Sequence, residues 1–274
     1  MIKIGFKKVS RFLVKNYRIK DWFYLTGFFL LGYSLNKPRN FDLSIFSLEF
    51  AVVCLSLAYA FSFNEIFEEY RSPSKAVKIL LLSIVPLLLS VSILPLTSPE
   101  FQLSISIFLL LFTIYSLPRF GLKSVPFISS LSNTIGFSLL FLSGSGFNLD
   151  LYSTVFLFLC CSFQLVSQLV HEMEHLEIDK RYNAKTTAIF IGVRNCERIC
   201  KIISSSCILQ TIFIIFLSND YLYSLFFIAL PSITLSVYSL LRISKTKPKR
   251  FRESFRVLGI IVGFLFLLHN LLAT

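Results

Sequence analysis

Apolar residues recur along this chain in runs of about 20, the length at which a helix crosses the hydrocarbon core of a bilayer, and that repetition constrains the fold more than any motif does. Lipid offers backbone groups no hydrogen-bond partner, so each run must satisfy its own N–H and C=O groups as a helix. Polar punctuation divides the sequence into nine such helices, at 22–36, 43–63, 76–97, 101–117, 126–146, 150–170, 199–218, 221–241 and 255–272. Pro86, Pro95 and Pro231 fall inside runs and predict kinks. The expected architecture is an all-α, polytopic membrane protein in which residues 21–274 form a domain of nine transmembrane helices. Residues 1–20, basic and carrying Ile4, Phe6, Val9, Phe12, Leu13 and Tyr17, are expected as an amphipathic segment on the anionic inner leaflet.

Of the 274 residues, 55% are hydrophobic and 15% charged, against roughly 25% charged in soluble domains. That excludes a disordered chain and a disulfide scaffold, and the net charge of +12 is not read as a nucleic-acid footprint. Excess Lys and Arg in a membrane protein reports orientation. With the N-terminus cytoplasmic, segments 1–21, 64–75, 118–125, 171–198 and 242–254 with their flanks collect every Lys and Arg except Lys37 and Arg39. Nine spans then place the C-terminus on the opposite side. Cys54, Cys160, Cys161 and Cys207 lie in apolar runs and are expected to be reduced.

Seven of the 15 acidic residues fall in two inward segments: Glu65, Glu68 and Glu69 after the second span, and Glu172, Glu174, Glu177 and Asp179 after the sixth. On a helix, Glu65, Glu68 and Ser72 share one face, and Glu172, His175 and Asp179 repeat the same i, i+3, i+7 spacing. Two helices can therefore aim matched polar faces at one place. Acids gathered in this way repel unless a cation neutralises them, and hard divalent ions such as Mg²⁺ take carboxylate and phosphate oxygens. Arg71, Lys75, Arg119, Lys123, Lys180, Arg181 and Lys185 lie nearby and would complement a diphosphate. A cavity that joins such an anion site to apolar helices suits a lipid diphosphate.

The chain resembles the UbiA superfamily of intramembrane prenyltransferases, which has nine helices around a cytoplasm-facing central cavity. Two motifs in that family, N-D-x-x-D-x-x-x-D and D-x-x-D-x-x-x-D, follow the second and sixth helices. Here they read Asn64-Glu65-Ile66-Phe67-Glu68-Glu69-Tyr70-Arg71-Ser72 and Glu172-Met173-Glu174-His175-Leu176-Glu177-Ile178-Asp179. Between them, Tyr115-Ser116-Leu117-Pro118-Arg119-Phe120-Gly121-Leu122-Lys123 is similar to the family's Tyr-Ser-x-Pro-Pro-x-Arg-Leu-Lys segment. The resemblance implies a Mg²⁺-dependent transfer of an isoprenyl group from a prenyl diphosphate to a hydrophobic acceptor: an aromatic ring, a quinone precursor or a lipid. It implies metal ligation by Asn64, Glu65, Glu68, Glu172, His175 and Asp179, and diphosphate contacts from Arg71, Arg119, Lys123 and Lys185. Glu172, Asp179 and Tyr115 are the expected catalytic residues.

The sequence departs from the family at several of these positions. Glu replaces Asp at 65, 68 and 172, and Ser72 and His175 replace acids outright. Imidazole at 175 admits a divalent ion other than Mg²⁺. A member that binds a prenyl lipid without transferring it is therefore an alternative reading. So is a zinc protease, since His171-Glu172-Met173-Glu174-His175 satisfies H-E-x-x-H, although His269 lies near the opposite face and no third ligand is evident. A transporter is disfavoured because the acids gather on one side and not at midplane.

Overall fold

A computed structural model describes residues 17–35, 42–69, 72–117, 121–181, 184–218 and 221–272. The main helices are α1 (Thr26–Leu35), α2 (Leu43–Glu69), α3 (Pro73–Ile93), α4 (Pro99–Tyr115), α5 (Ile128–Ser145), α6 (Leu151–Arg181), α7 (Val193–Leu217), α8 (Leu230–Arg242) and α9 (Pro248–Leu272). A short helix Ile19–Trp22 and a 3₁₀ turn Phe23–Leu25 lead into α1, and another short helix, Thr187–Ile191, precedes α7. Among the described residues, segments in α2, α3, α6, α7 and the stretch Leu225–Arg242 are long and apolar enough to cross a membrane, and α4 is apolar but shorter. Residues 1–16, the bulk of the expected amphipathic segment, lie outside the described residues.

Proline sets several helix boundaries. It occupies the first position of α3, α4 and α9, where its missing N–H costs nothing. Pro86 lies within a continuous α3, whereas Pro95 falls in the 3₁₀ turn Leu94–Leu96 at its end. Pro231 follows a π-helical turn, Leu225–Ala229, whose wider hydrogen-bond spacing accommodates a residue without a donor.

Helices α2 and α6 run on to Glu69 and Arg181, beyond the ends at 63 and 170 expected from hydropathy, and α7 and α9 begin before the expected 199 and 255. Apolar patterning marks only the part of a helix that needs lipid or core. The charged turns continue the same hydrogen-bond ladder beyond it, and these extensions carry the polar residues of the site.

The helices close into a ring in which α1 packs on α2, α5 and α9, and the circuit continues through α4, α5, α6, α7, α8 and α9. Glycine lets α1 and α5 approach closely: a Cβ at Gly32 would stand 2.0 Å from the Phe141 carbonyl oxygen, and one at Gly144 would stand 2.2 Å from that of Phe29. Phe29, Phe101, Phe108, Phe141, Phe251 and Phe266 are fully buried inside the ring. Stacked rings of Phe156 and Phe266, with centroids 3.6 Å apart, tie α6 to α9. The outer face of α3 exposes Leu80, Leu81, Val85, Leu88 and Leu89, a patch too apolar for water and suited to lipid.

Candidate functional site

The extended ends of α2 and α6 meet at a polar cavity of about 190 Å³ enclosed by the ring. Asn64 of α2, at the head of the first acidic segment, lines it together with Glu172, His175 and Asp179 of α6. Tyr115 and Lys123 line it from the segment between the clusters. From the first segment Asn64 reaches this cavity, whereas Glu65, expected as a ligand, is not among the residues lining it and lies toward Arg18.

Each residue stands in a different chemical state. Asn64 Oδ1 is buried and accepts no hydrogen bond, an uncommon condition for a carbonyl oxygen. Thr186 Oγ1, on the cavity wall after α6, is likewise buried without a partner. Asp179 is 8% exposed. The Tyr115 hydroxyl accepts a 2.9 Å hydrogen bond from Asn133 Nδ2, which fixes the ring, and the same amide nitrogen donates to the Ser129 carbonyl. Glu65 Oε1 lies 3.8 Å from Arg18 Nε, and that nitrogen also pairs with Asp21 at 2.8 Å.

Glu172 is the most heavily engaged acid. Its Oε1 accepts from the hydroxyls of Ser129 and Ser130 at 2.8 and 2.7 Å, and its Oε2 accepts from the Ala188 N–H at 3.2 Å. Because the Ser130 hydroxyl donates to Glu172, Thr187 must donate across their 3.0 Å contact, while Thr187 Oγ1 accepts from the Phe127 N–H at 2.9 Å. Phe127 has φ 62, a costly conformation for a bulky residue, and this network holds it. Glu172 therefore clamps the start of α5 and the helix Thr187–Ile191 onto α6, leaving lone-pair capacity chiefly on Oε2 for any ligand.

On the next face of α6, His171, Glu174 and His175 bring ligand atoms within 4.8 Å of one another, a group able to hold a metal ion. Arg252 of α9 already binds two of them: Nε pairs with Glu174 Oε2 at 2.7 Å and Nη1 contacts His171 Nδ1 at 2.6 Å. A guanidinium only donates, so His171 Nδ1 is the acceptor. The H-E-x-x-H pattern consequently builds no hydrolytic zinc centre, since Glu172, the would-be base, serves Ser129, Ser130 and Ala188. His269 is hydrogen-bonded to Ser224 and Asn270 elsewhere in the ring.

Lys185 corrects the sequence reading. It is exposed in the segment between α6 and the helix Thr187–Ile191 and is not among the residues lining the cavity. The side chain of Glu68, and Arg71 and Arg119, lie outside the described residues. Motif reading missed Arg18, Asn133, Gln164, Arg252 and Arg256, all of which line the cavity. Arg252 and Arg256 were one turn apart in plain view, but counted only as topology-setting charge.

The polar cavity meets an apolar groove of about 510 Å³, lined by α1, α6 and α9. Tyr24, Gln164, Ser167 and Arg256 line both and form the neck between them. At Gly27, Gly259 and Gly263 an added Cβ would meet nothing within 4 Å, so these residues leave the groove open.

Solved structures share this architecture. A UbiA homolog from Archaeoglobus fulgidus superposes with a TM-score of 0.75 at 15% identity, covering 94% of this chain and 98% of its own. The same homolog bound to GPP and Mg²⁺ gives 0.76 at 16% identity over 95% and 98%. A digeranylgeranylglyceryl phosphate synthase gives 0.69 at 16% identity over 95% and 98%. No curated protein matches the sequence. The model of the UbiA prenyltransferase family matches residues 25–268, and the chain belongs to that family, whose members are integral, multi-pass membrane proteins.

Proposed function

We propose that this protein is a Mg²⁺-dependent membrane prenyltransferase that moves an isoprenyl group from a prenyl diphosphate to a hydrophobic acceptor. The observation that carries this reading is the convergence of Asn64 and Asp179, from the two acidic segments, on one polar cavity that opens into an apolar groove. Homolog structures hold GPP with Mg²⁺ and DMAPP with Mg²⁺.

The residues fit a hard cation: an unpartnered Asn64 carbonyl, an unpartnered Thr186 hydroxyl, the Asp179 carboxylate and the remaining capacity of Glu172 Oε2 are all oxygen donors. Glu65, Glu68 and His175 complete the proposed ligand set, and His175 widens the choice of divalent ion. When bound, Mg²⁺ neutralises diphosphate oxygens and the charge that builds on the leaving group. Lys123 and Tyr115 hold the diphosphate from the facing wall, with Arg119 and Arg71 assigned to the same role. Phe112 and Phe137 line the cavity, where their rings would exclude water and offer π density to an allylic carbon that gains positive charge. The cavity end is assigned to the cytoplasm with the N-terminus, and the C-terminus to the opposite side, on the sidedness of Lys and Arg.

A second reading, prenyl-lipid binding without transfer, is favoured by His175 in place of an acid and by the engagement of Glu172 with protein donors. Purified protein incubated with labelled prenyl diphosphates and hydrophobic acceptors, with and without Mg²⁺, tests both. Metal-dependent prenylated product supports transfer, and His175→Asp should preserve or raise it. Tight donor binding with no product from either wild type or His175→Asp supports the second reading, and no donor binding at all would sink both.

A further inference from the structure

His171, Glu174 and His175 follow an i, i+3, i+4 spacing that puts three side chains on one stripe of α6, with ligand atoms within 4.8 Å of one another. The two imidazoles stand edge to face, ring centroids 4.4 Å apart. Two nitrogens and one carboxylate oxygen are the donor set of a three-ligand zinc site with an open position, and Glu174 supplies the third ligand that H-E-x-x-H spacing alone does not name. Glu172 and Asp179, on the neighbouring stripe, offer only oxygen and suit Mg²⁺, whereas imidazole favours Zn²⁺, Co²⁺ or Ni²⁺. His175 belongs to both stripes.

A cation already stands at this place. Arg252 of α9 puts Nη1 2.6 Å from His171 Nδ1 and Nε 2.7 Å from Glu174 Oε2. A neutral imidazole has one lone pair, and Arg252 holds that of His171. An ion that binds Nδ1 must displace the guanidinium directly; one that binds Nε2 drives the proton onto Nδ1, which then no longer accepts from Arg252. Either way, metal and Arg252 exclude each other. The guanidinium is also an imperfect occupant: Glu174 Oε2 and Arg252 Nε are both buried, yet neither has a hydrogen-bond partner, so their contact supplies charge without the alignment of a bond. A metal ion would meet three ligands where Arg252 meets two.

We propose that His171, Glu174 and His175 form a second metal site, selective for Zn²⁺ or a similar borderline ion over Mg²⁺, which Arg252 caps until the ion displaces it. Because His175 is shared with the proposed Mg²⁺ ligands, an ion bound here takes a ligand from the diphosphate site; that consequence rests on the prenyltransferase reading, whereas the metal site does not. Full-length protein in nanodiscs, stripped of metal and then held in excess Mg²⁺, is titrated with Zn²⁺ against a fluorescent chelator and with Co²⁺, whose visible absorption reports nitrogen ligation. Zinc should bind despite the Mg²⁺. His171→Gln should weaken it by more than the roughly tenfold that loss of an outer-shell partner costs. Arg252→Ala should tighten it by about fivefold or more, since the competing cation is gone, a gain that misfolding does not produce. Melting without metal reports that each variant is folded, and zinc should raise the melting temperature of Arg252→Ala more than that of wild type. Zinc should also weaken farnesyl diphosphate binding at saturating Mg²⁺ in wild type and leave it unchanged in His171→Gln. No zinc binding in excess Mg²⁺, weaker binding in Arg252→Ala, or zinc lost in Asn64→Ala but kept in His171→Gln would overturn the proposal, the last by placing the ion among the oxygen donors. Donor binding indifferent to zinc in wild type would overturn the shared use of His175. Failure of wild-type protein to bind farnesyl diphosphate with Mg²⁺ would count against the prenyltransferase reading alone.

Discussion

The two walls of the polar cavity carry similar sequence motifs and use them differently. On the α2 wall, Asn64 presents a buried carbonyl with no partner. On the α6 wall, Glu172 is occupied by Ser129, Ser130 and Ala188, and Glu174 by Arg252. A motif counts charges, whereas a ligand meets only the lone pairs that the fold has left over. The α6 cluster therefore divides into acids that hold the helices together and acids that face the cavity, and this division predicts which substitutions harm stability and which harm binding.

Glu172→Ala should have the largest effect. Three donors lose their acceptor in a buried setting, and the strained Phe127 turn loses its support, at a cost of about 3 kcal/mol or more. The expected result is a melting temperature several degrees lower in detergent without Mg²⁺. Unchanged melting combined with lost metal-dependent donor binding would mean that Glu172 is a ligand first, and the contrast between the walls would fail.

Glu174→Ala comes next. Motif spacing places Glu174 off the face shared by Glu172, His175 and Asp179, which predicts a dispensable solvated charge. The side chains of Glu174 and Arg252 are only 16% and 18% exposed, however, and pair at 2.7 Å. Losing the acid leaves Arg252 uncompensated beside Arg256, a cost of about 2 kcal/mol, between the values for surface and buried pairs. Glu174→Ala with Arg252→Ala should recover part of that loss in the same melting assay. A double variant as unstable as the sum of the singles would show that the pair is not coupled.

That Asn64 and Asp179 face one cavity was legible in the sequence because helix periodicity fixes which residues share a face, and hydropathy fixes which helix ends lie on one side. What became of each acid was not. Ser129 is 43 residues from Glu172, and nothing in local spacing announces a partner that only the packing of α5 on α6 brings near. Lys185 shows the opposite: it follows the second cluster closely in sequence, yet it is exposed and does not line the cavity. Arg256 was hidden by its surroundings, since the last of several basic residues before an apolar run reads as an orientation signal.

Asn64→Ala sharpens the comparison from the other wall. The Asn64 carbonyl accepts no hydrogen bond, so removing it leaves no protein donor orphaned and should not lower the melting temperature. Mg²⁺-dependent binding of a prenyl diphosphate should weaken by about tenfold, or about 1.4 kcal/mol. Asp179→Ala should weaken it at least as much. Isothermal titration with and without Mg²⁺ separates a ligand from a packing residue, because only the former changes the metal-dependent component.

The smallest effect belongs to Glu177, an acid of the same α6 cluster with the same formal charge. It pairs with Lys180 at 3.1 Å, but the lysine and glutamate side chains are 52% and 75% exposed. Water screens such a pair, and ordering two long side chains offsets most of the attraction, so Glu177→Ala should cost less than about 0.5 kcal/mol. Donor binding should fall slightly if at all, and whatever change occurs should vanish at high salt, as for a charge acting at long range through solvent. A loss of metal-dependent binding as large as that from Asn64→Ala, persisting in salt, would show that summed charge at the end of α6, and not the lone pairs directed into the cavity, governs the ligand.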